Sequence, residues 1–223
     1  MKHFKKNSLA FFLSCGLLLF TVNSAYSTGF NNGIAGKKTV VLNNKVSDNQ
    51  IKFYSKAPAE DIEGAANGID GSFIIDPSNV EATTGTFTVK IKSMKSGIEM
   101  RDKHMQGPEW LGADKNPDIK YTVTKITDVQ TVSSDKGKAV VKGVAVGNFF
   151  LNGIAKEIKA PVTITYVPES DATRKKADGD FVMVQAEFKV VLKDFNIAGK
   201  KGIVGSKVGD TIDIKVNLFG ATK

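Results

Sequence analysis

The residues best suited to chemistry stand together in the run Arg101–Met105, RDKHM. An imidazole titrates near neutral pH, so His104 can act as a general base beside a substrate, with Asp102 or Arg101 as its partner. Adjacent charged residues on a helix also cap strand ends or pair with one another. The run therefore predicts either an enzyme that uses His104 and Asp102, or a polar cluster of Arg101, Asp102 and His104 at the mouth of the fold. We favour the polar cluster.

Few other catalytic or metal-binding groups are present in the sequence. The 223-residue chain has two histidines, His3 and His104, and one cysteine, Cys15. Since His3 and Cys15 lie in a segment predicted to be removed, zinc sites made of cysteine and histidine are excluded by count. A serine or cysteine triad would have to use His104, and no GxSxG motif accompanies it. The sequence therefore predicts no metal and no cofactor.

Residues 1–27 have the organisation of a secretory signal peptide. The positive n-region contains Lys2, Lys5 and Lys6, the apolar h-region is Leu9–Phe20, and Ala25 and Ser27 are the small residues before a cleavage site. The apolar run is shorter than the roughly 20 residues that span a bilayer as a helix, so a membrane anchor is the weaker interpretation. We expect cleavage near Ser27 and a periplasmic or secreted protein that uses no disulfides.

The composition is basic, with 31 lysine and arginine residues against 23 acidic ones and a formal net charge of +8. Three of these lysines belong to the predicted signal peptide, so the remaining excess is modest. The other lysines stand singly on strand exteriors, and nucleic-acid binding is therefore not expected. A solvated exterior explains the excess; the alternative is transient contact with an anionic membrane surface, at about 1 kcal/mol per basic residue near the surface. The sequence carries no signal for an oligomeric state.

A short helix is predicted to hold the polar run, from about Gly97 to Gln106. Ser96 and Glu99 have the spacing of a capping box, in which each side chain accepts a hydrogen bond from a free backbone N–H of the first turn. Gly107 and Pro108 end the helix, because proline cannot continue the backbone hydrogen bonds. A helix of this kind between strands is expected to cover an open end.

Alternating strands surround this helix. In Thr84–Lys92, for example, Phe87 and Val89 face one side while Thr86 and Thr88 face the other, because successive side chains of a strand point in opposite directions. Residues 76–79, DPSN, predict the turn before this strand. The same alternation continues through Ile119, Tyr121 and Val123, then Ile158, Ala160, Val162, Ile164 and Tyr166, then Val184, Ala186, Phe188, Val190 and Leu192, and finally Ile212, Ile214, Val216 and Leu218.

About eight such strands and one short helix predict an all-β domain, either a two-sheet sandwich or a closed antiparallel barrel. We expect a flexible lead-in over residues 28–39 and one domain over residues 40–223. Pro161 predicts an edge or a bulge, because proline cannot donate to the sheet. Lys90, Lys92 and Glu187 lie at outward positions, which argues against a barrel whose exterior faces lipid.

Five motifs stand out along the chain. They are RDKHM at Arg101–Met105 followed by Trp110 and Leu111, NPDIKY at Asn116–Tyr121, GIDGSFIIDPSN at Gly68–Asn79, LNGIAKEI at Leu151–Ile158 and KDFNI at Lys193–Ile197. Together they resemble the YceI-like family of polyisoprenoid-binding proteins. They occur in the family's order and extend over nearly the whole chain after the signal peptide. The resemblance implies a lipocalin-like barrel whose apolar tunnel holds an isoprenoid chain, an isoprenoid quinone or a similar lipid in the periplasm.

The resemblance also implies which residues contact the lipid, namely the inward side chains of these strands and the tryptophan near the mouth. They are Phe73, Ile75, Phe87, Val89, Ile91, Trp110, Ile119, Tyr121, Val123, Val162, Ile164, Ala186, Phe188, Val190, Ile214 and Val216, with Arg101, Asp102 and His104 as polar residues of the mouth. Transport, storage or sequestration of the lipid is the implied role. Periodicity leaves one further alternative open, a filled-core β domain with a structural or interaction role.

Overall fold

The alternating segments form ten β-strands in the computed structural model, which describes residues 28–135 and 137–223. The strands are β1 (Lys38–Leu42), β2 (Gln50–Lys56), β3 (Asp61–Ala66), β4 (Ile69–Asp76), β5 (Asn79–Lys90), β6 (Asp118–Asp135), β7 (Lys138–Leu151), β8 (Ile154–Val167), β9 (Phe181–Val191) and β10 (Thr211–Thr222). Between them lie the helices α1 (Glu99–Gln106) and α2 (Asp171–Arg174), and 3₁₀ turns at Ile91–Ser93 and Leu192–Phe195. The predicted signal peptide lies outside the described residues.

Eight of the strands described here close into an antiparallel barrel. Their order is β1-β4-β5-β6-β7-β8-β9-β10, and β1 completes the ring by pairing with β10. The closing register joins Val40 to Thr222 and Leu42 to Gly220. Gly220 permits this approach, because a Cβ there would stand 2.7 Å from the Val40 side chain. The predicted barrel of about eight strands is confirmed, and the two-sheet sandwich is excluded.

The hairpin of β2 and β3 extends the sheet beyond the ring. One edge of β10 pairs with β1 through Gly220–Thr222 and with β2 through Ile212–Asn217. β3 continues the sheet from β2, and Ala65 forms an isolated bridge with Lys95 in the segment that leads to α1. The hairpin therefore forms a side wall at the end of the barrel where α1 lies, which we call the open end.

The opposite end, which we call the packed end, has a dense apolar core. Phe30, Val80 and Tyr166 are fully buried there. Phe30 belongs to the segment predicted to be a flexible lead-in, yet its ring centroid lies 5.4 Å from that of Tyr166 and its N–H donates to the Pro77 carbonyl at 2.8 Å. Residues 28–36 thus plug the packed end, because burial of a phenylalanine ring stabilises the attached segment.

Asp180 joins the polar groups of the packed end. Its carboxylate accepts hydrogen bonds from the Tyr166 hydroxyl and from the Glu169 N–H (2.8 Å), and it lies 3.0 Å from Nζ of Lys38. Burial alone would raise the pKa of this carboxyl, but these donors outweigh it and hold the pKa of Asp180 below its ordinary value. Burial, together with the neighbouring Asp180, raises the pKa of the Tyr166 hydroxyl, which therefore remains a donor.

Pro161 lies where β8 separates from β9. In the described residues β8 pairs with β7 from Ile154 to Tyr166, whereas its pairing with β9 begins at Val162. Proline has no N–H to donate and therefore fits a strand edge. The predicted edge at Pro161 is confirmed.

The segment between β9 and β10 returns over the open end. Its Phe195 and Ile197 are 2% exposed and pack beside Leu111 and Phe149. The 3₁₀ turn at Leu192–Phe195 redirects the chain so that these side chains point back to the barrel. Within residues 28–135 and 137–223, none of the helices is long and apolar enough to cross a membrane.

Candidate functional site

An apolar cavity of about 530 Å³ lies at the open end, beside α1, and we call it the outer cavity. Its volume falls within the roughly 300–1,000 Å³ that is usual for small-molecule sites. Four parts of the chain supply its walls: the barrel strands, the β2–β3 hairpin, α1 with the segments on either side of it, and the segment between β9 and β10. The lining residues are Phe53, Ser55, Glu60, Ile62, Met94, Ser96, Ile98, Met100, Arg101, His104, Met105, Trp110, Leu111, Ile119, Phe149, Leu151, Val190, Leu192, Ile197, Lys200, Ile203, Lys207, Val208, Ile212 and Ile214.

A smaller cavity of about 120 Å³, the inner cavity, lies deeper in the barrel. It adjoins the outer cavity, since both are lined by Phe53, Met94, Ile119, Phe149 and Ile214. The barrel is thus hollow toward the open end and filled at the packed end. The alternative of a core that is filled along its whole length does not fit the described residues.

Tyr121 is a polar residue whose hydroxyl is satisfied by the barrel itself. The hydroxyl lies 2.9 Å from the Ala145 carbonyl oxygen and 3.1 Å from that of Ile158, and it donates toward both. Burial, with a smaller contribution from the carboxylate of Glu157, raises the pKa of Tyr121 to about 12, so the hydroxyl stays neutral. Its ring stacks on Phe188 at 6.2 Å between centroids. Tyr121 therefore presents an apolar face to the inner cavity.

Thr83 provides a contrasting polar group in the inner cavity. Its side chain is 5% exposed and lines this cavity. Among the described residues its hydroxyl has no hydrogen-bond partner. A buried hydroxyl without a partner carries a desolvation cost, so it marks the position where a water molecule or a ligand oxygen would be stabilised.

A hydrogen-bonded cluster, which we call the mouth network, fixes α1 beside the outer cavity. Oδ1 of Asp102 accepts the Ser96 N–H at 2.7 Å and the Ser96 hydroxyl at 2.6 Å. Arg101 donates from Nε to Oγ of Ser96 at 2.9 Å and forms an ion pair with Glu60. Since Glu60 lies between β2 and β3, the mouth network connects α1 to the side wall of the open end.

The mouth network replaces the capping box that Ser96 and Glu99 predicted. α1 begins at Glu99, and its N-cap, Ile98, makes no side-chain cap. Gly97 turns the chain at φ +82°, which places Ser96 outside the first turn and directs its hydroxyl to Asp102 instead of a backbone N–H. Glu99 forms an exposed ion pair with Lys103 at 2.7 Å. The predicted capping box and the helix start at Gly97 are therefore wrong.

Comparison with known proteins identifies the family. A model of the YceI-like domain matches residues 42–219, which include all of the barrel strands except most of β1 and the end of β10. The chain belongs to the YceI-like family. The UPF0312 protein YE1254 of Yersinia enterocolitica is 28% identical to it over 199 residues, which cover 88% of this chain and 90% of that protein.

Solved structures share the YceI-like fold. BcnA of Burkholderia cenocepacia matches with a TM-score of 0.61 and 18% identity, over 80% of this chain and 98% of that one. A polyisoprenoid binding domain from Saccharophagus degradans, implicated in plant cell wall breakdown, matches with a TM-score of 0.55 and 12% identity, over 84% of this chain and 100% of that one. At these identities the matches establish the common barrel.

Most of the residues predicted to contact lipid line one of the two cavities of this YceI-like barrel. Ile119 and Ile214 border both cavities, and Trp110 and Val190 border the outer one. The inner cavity is lined by Phe73, Phe87, Val89, Tyr121, Val123, Val162, Ile164, Ala186, Phe188 and Val216. The alternation of these strands thus brings the predicted residues to one continuous interior.

Ile75 and Ile91 are corrections to the predicted set, because they line neither cavity in the described structure. Ile75 is fully buried in the packed end, beyond the inner cavity. Ile91 is also fully buried, but it belongs to the 3₁₀ turn after β5 and packs with Leu111. Alternation predicted the side of the sheet correctly at Ile75; it could not predict the end of the strand before Ile91.

Sequence reasoning missed much of the outer cavity. Phe149 and Leu151 alternate along β7 and were detectable by the same pattern as the other strands. Met94 and the residues around Ile203 and Val208 belong to turns, where no periodicity indicates which side chain faces inward. Phe53 lies on β2, outside the ring, and lines both cavities because the β2–β3 hairpin forms a side wall.

His104 and Asp102 of the YceI-like barrel do not form a catalytic pair in the described residues. Asp102 is 5% exposed and accepts hydrogen bonds from Ser96. His104 is exposed, lines the outer cavity and has no side-chain hydrogen bond within the described parts of the chain. These residues stand two positions apart on α1, and side chains at that spacing do not face each other. Residues 28–135 and 137–223 also contain no group of three potential metal ligands.

This arrangement predicts different outcomes for two substitutions on α1. His104→Ala should change the free energy of unfolding by less than about 0.5 kcal/mol, because the imidazole is exposed. Asp102→Ala should lower it by about 1–3 kcal/mol, because the Ser96 N–H and hydroxyl then lose a buried acceptor. Urea unfolding of both variants measures the difference. Equal losses would show that the mouth network depends on His104 as well.

Proposed function

We propose that this protein holds a long-chain apolar lipid, a polyisoprenoid or an isoprenoid quinone, for transport, storage or sequestration. The observation that carries the proposal is the outer cavity of about 530 Å³, which adjoins the inner cavity inside a barrel with apolar walls. A ligand that fills both needs an extended apolar body. The filled end beyond the inner cavity limits how far that body reaches.

Membership of the YceI-like family supports this ligand class. The Saccharophagus degradans domain, which has the same fold, is described as polyisoprenoid binding. The polar groups in this chain are compatible with an apolar guest, since Tyr121 satisfies its hydroxyl on backbone carbonyls. Thr83 adds one site where a quinone oxygen would find a donor. Membership of the YceI-like family and the fold shared with a polyisoprenoid binding domain support a binding protein rather than an enzyme.

The energetics of such a cavity suit exchange with a membrane. Transfer of apolar carbon from water yields about 0.8 kcal/mol per CH₂, which for a long chain would approach the ceiling of non-covalent affinity. A bilayer is about as apolar as the cavity, however, so the transfer from one to the other is nearly balanced. A carrier needs that balance in order to load and unload. The predicted signal peptide supports an exchange in the periplasm or outside the cell.

Extraction of natively purified protein tests the proposal. Organic solvent should release one long-chain apolar molecule per protein chain, to be identified by mass spectrometry. Protein that was denatured before purification and then refolded without lipid is the control and should release none. Native protein that yields no such molecule, and that also fails to take up geranylgeraniol or a short-chain ubiquinone after delipidation, would contradict the proposal.

A further inference from the structure

Two exposed apolar side chains stand at the rim of the outer cavity. Ile98 is 52% exposed and Met100 is 69% exposed, and both line that cavity. In the described residues only two other large apolar side chains are comparably exposed, Ile74 at 42% and Val132 at 56%. Those two lie singly on β4 and β6, away from the cavities. Exposed apolar surface is therefore concentrated at the place where a ligand would pass.

The same rim carries an excess of positive charge. Its charged side chains are Glu60, Arg101, Lys200 and Lys207. Glu60 is the acidic member and forms an ion pair with Arg101. Lys200 approaches Glu109 at 3.9 Å, with both side chains more than half exposed, and Lys207 forms no ion pair within the described residues. An exposed ion pair contributes little, so both lysines remain available to negative groups on a partner.

We infer that the rim of the outer cavity is a docking surface for a bilayer that contains anionic lipids. Ile98 and Met100 enter the headgroup region, while Lys200 and Lys207 contact lipid phosphates. Apolar side chains beside basic ones are the combination that binds the surface of an anionic membrane. The inference rests on the proposed function, because the docked rim joins the apolar interior of the bilayer to the outer cavity. A lipid chain can then enter the barrel without crossing water.

Vesicle flotation tests the apolar part of this surface. The probes are vesicles of phosphatidylcholine with 30% phosphatidylglycerol, a composition chosen for the assay. The Ile98→Ser/Met100→Ser double variant should bind them about tenfold more weakly than the unchanged protein. Val132→Ser is the matched control, because Val132 is similarly exposed on β6, and its binding should stay within about twofold. Thermal unfolding of each variant checks that the barrel remains folded.

The Lys200→Gln/Lys207→Gln double variant tests the charged part of the docking surface. This variant should lose most of the preference for anionic over pure phosphatidylcholine vesicles, and most of the dependence on salt. Lys125→Gln/Lys142→Gln is the control, since both lysines are exposed on β6 and β7 away from the rim, and it should keep that preference. Equal losses in the two lysine variants would overturn the docking surface in favour of general charge attraction.

A parallel measurement separates this inference from the proposed function. Binding of a water-soluble fluorescent prenyl probe to the unchanged, delipidated protein is followed without vesicles. If the probe binds the protein but the protein does not bind anionic vesicles, the docking surface is overturned and the proposed function stands. If the protein binds neither the prenyl probe nor the anionic vesicles, both the docking surface and the proposed function are overturned. The docking surface would also be overturned if the Ile98→Ser/Met100→Ser variant and the Val132→Ser control lost vesicle binding to the same extent.

Discussion

Val190→Phe should abolish most of the lipid binding while leaving the barrel stable. Val190 is 4% exposed, and its side chain borders the outer cavity. A phenyl ring there occupies space that the lipid would use and displaces several of its methylene groups, each of which is worth about 0.8 kcal/mol. Affinity should fall about tenfold or more, because about 1.4 kcal/mol is a factor of ten. Titration of delipidated protein with geranylgeraniol, together with urea unfolding, measures both effects.

The same substitution at Val141 is the control. Val141 is 1% exposed, belongs to the packed end and lines neither cavity. Phenylalanine has no free space there, so Val141→Phe should lower the free energy of unfolding by about 1–3 kcal/mol. Val89→Phe, at the inner cavity, should shorten the longest chain that the protein accepts. If Val190→Phe destabilises the protein as much as Val141→Phe and leaves lipid binding unchanged, the outer cavity is not the binding site.

Asp180→Asn should produce the largest loss of stability among single polar substitutions at the packed end. The carboxylate accepts from Tyr166 and Glu169 and pairs with Lys38, which joins β1, β8 and the loop before β9. An amide keeps the shape but removes the charge, and hydrogen bonds to charged groups contribute about 1.5–3 kcal/mol each. We therefore expect a loss of about 2–3 kcal/mol at pH 7, measured by urea unfolding.

The pH dependence of this loss provides a second test. Because the folded-state pKa of Asp180 is lowered, its contribution is present above the unfolded pKa, near 4, and disappears as the pH falls through the folded pKa. The difference between Asp180→Asn and the unchanged protein should thus shrink below about pH 4. Asp178→Asn, at an exposed neighbouring position, should change little at any pH. A difference that is constant down to pH 2 would contradict the assigned role of Asp180.

The sequence predicted the barrel strands well because each strand has one apolar face that is buried in the barrel. The alternation is strict over the runs that the sequence indicated, and nearly every inward residue in those runs borders a cavity. In β6 it is strict only over Ile119–Val123, because the register with β7 shifts after Val123. No local pattern in the sequence indicated that the sheet closes into a barrel. The barrel closes where β1, which is only five residues long, pairs with β10 near Gly220, and these two strands are separated by most of the sequence. The family resemblance, rather than periodicity, separated a barrel from a sandwich.

Three features could not be predicted from the sequence: the partner of Ser96, the packing of the N-terminal segment, and the part of the outer cavity between β9 and β10. Each depends on tertiary contacts that no local pattern indicates. The spacing of Ser96 and Glu99 is that of a capping box, but the turn at Gly97 and the buried Asp102 give Ser96 a better partner. Residues 28–39 were expected to form a flexible lead-in, although Phe30 is buried against Tyr166. Likewise the residues of the outer cavity between β9 and β10 lie in irregular backbone, where the inward side is decided by tertiary packing.

Native mass spectrometry of the purified protein, before and after solvent extraction, tests the central claim most directly. The account predicts that the intact chain carries one long-chain apolar molecule, that extraction removes it, and that Val190→Phe purified in the same way carries much less. Val141→Phe, if folded, should still carry it. A natively purified protein whose mass is that of the polypeptide alone, and whose mass stays unchanged after incubation with polyprenyl lipids and quinones, would contradict the claim that the barrel holds a lipid.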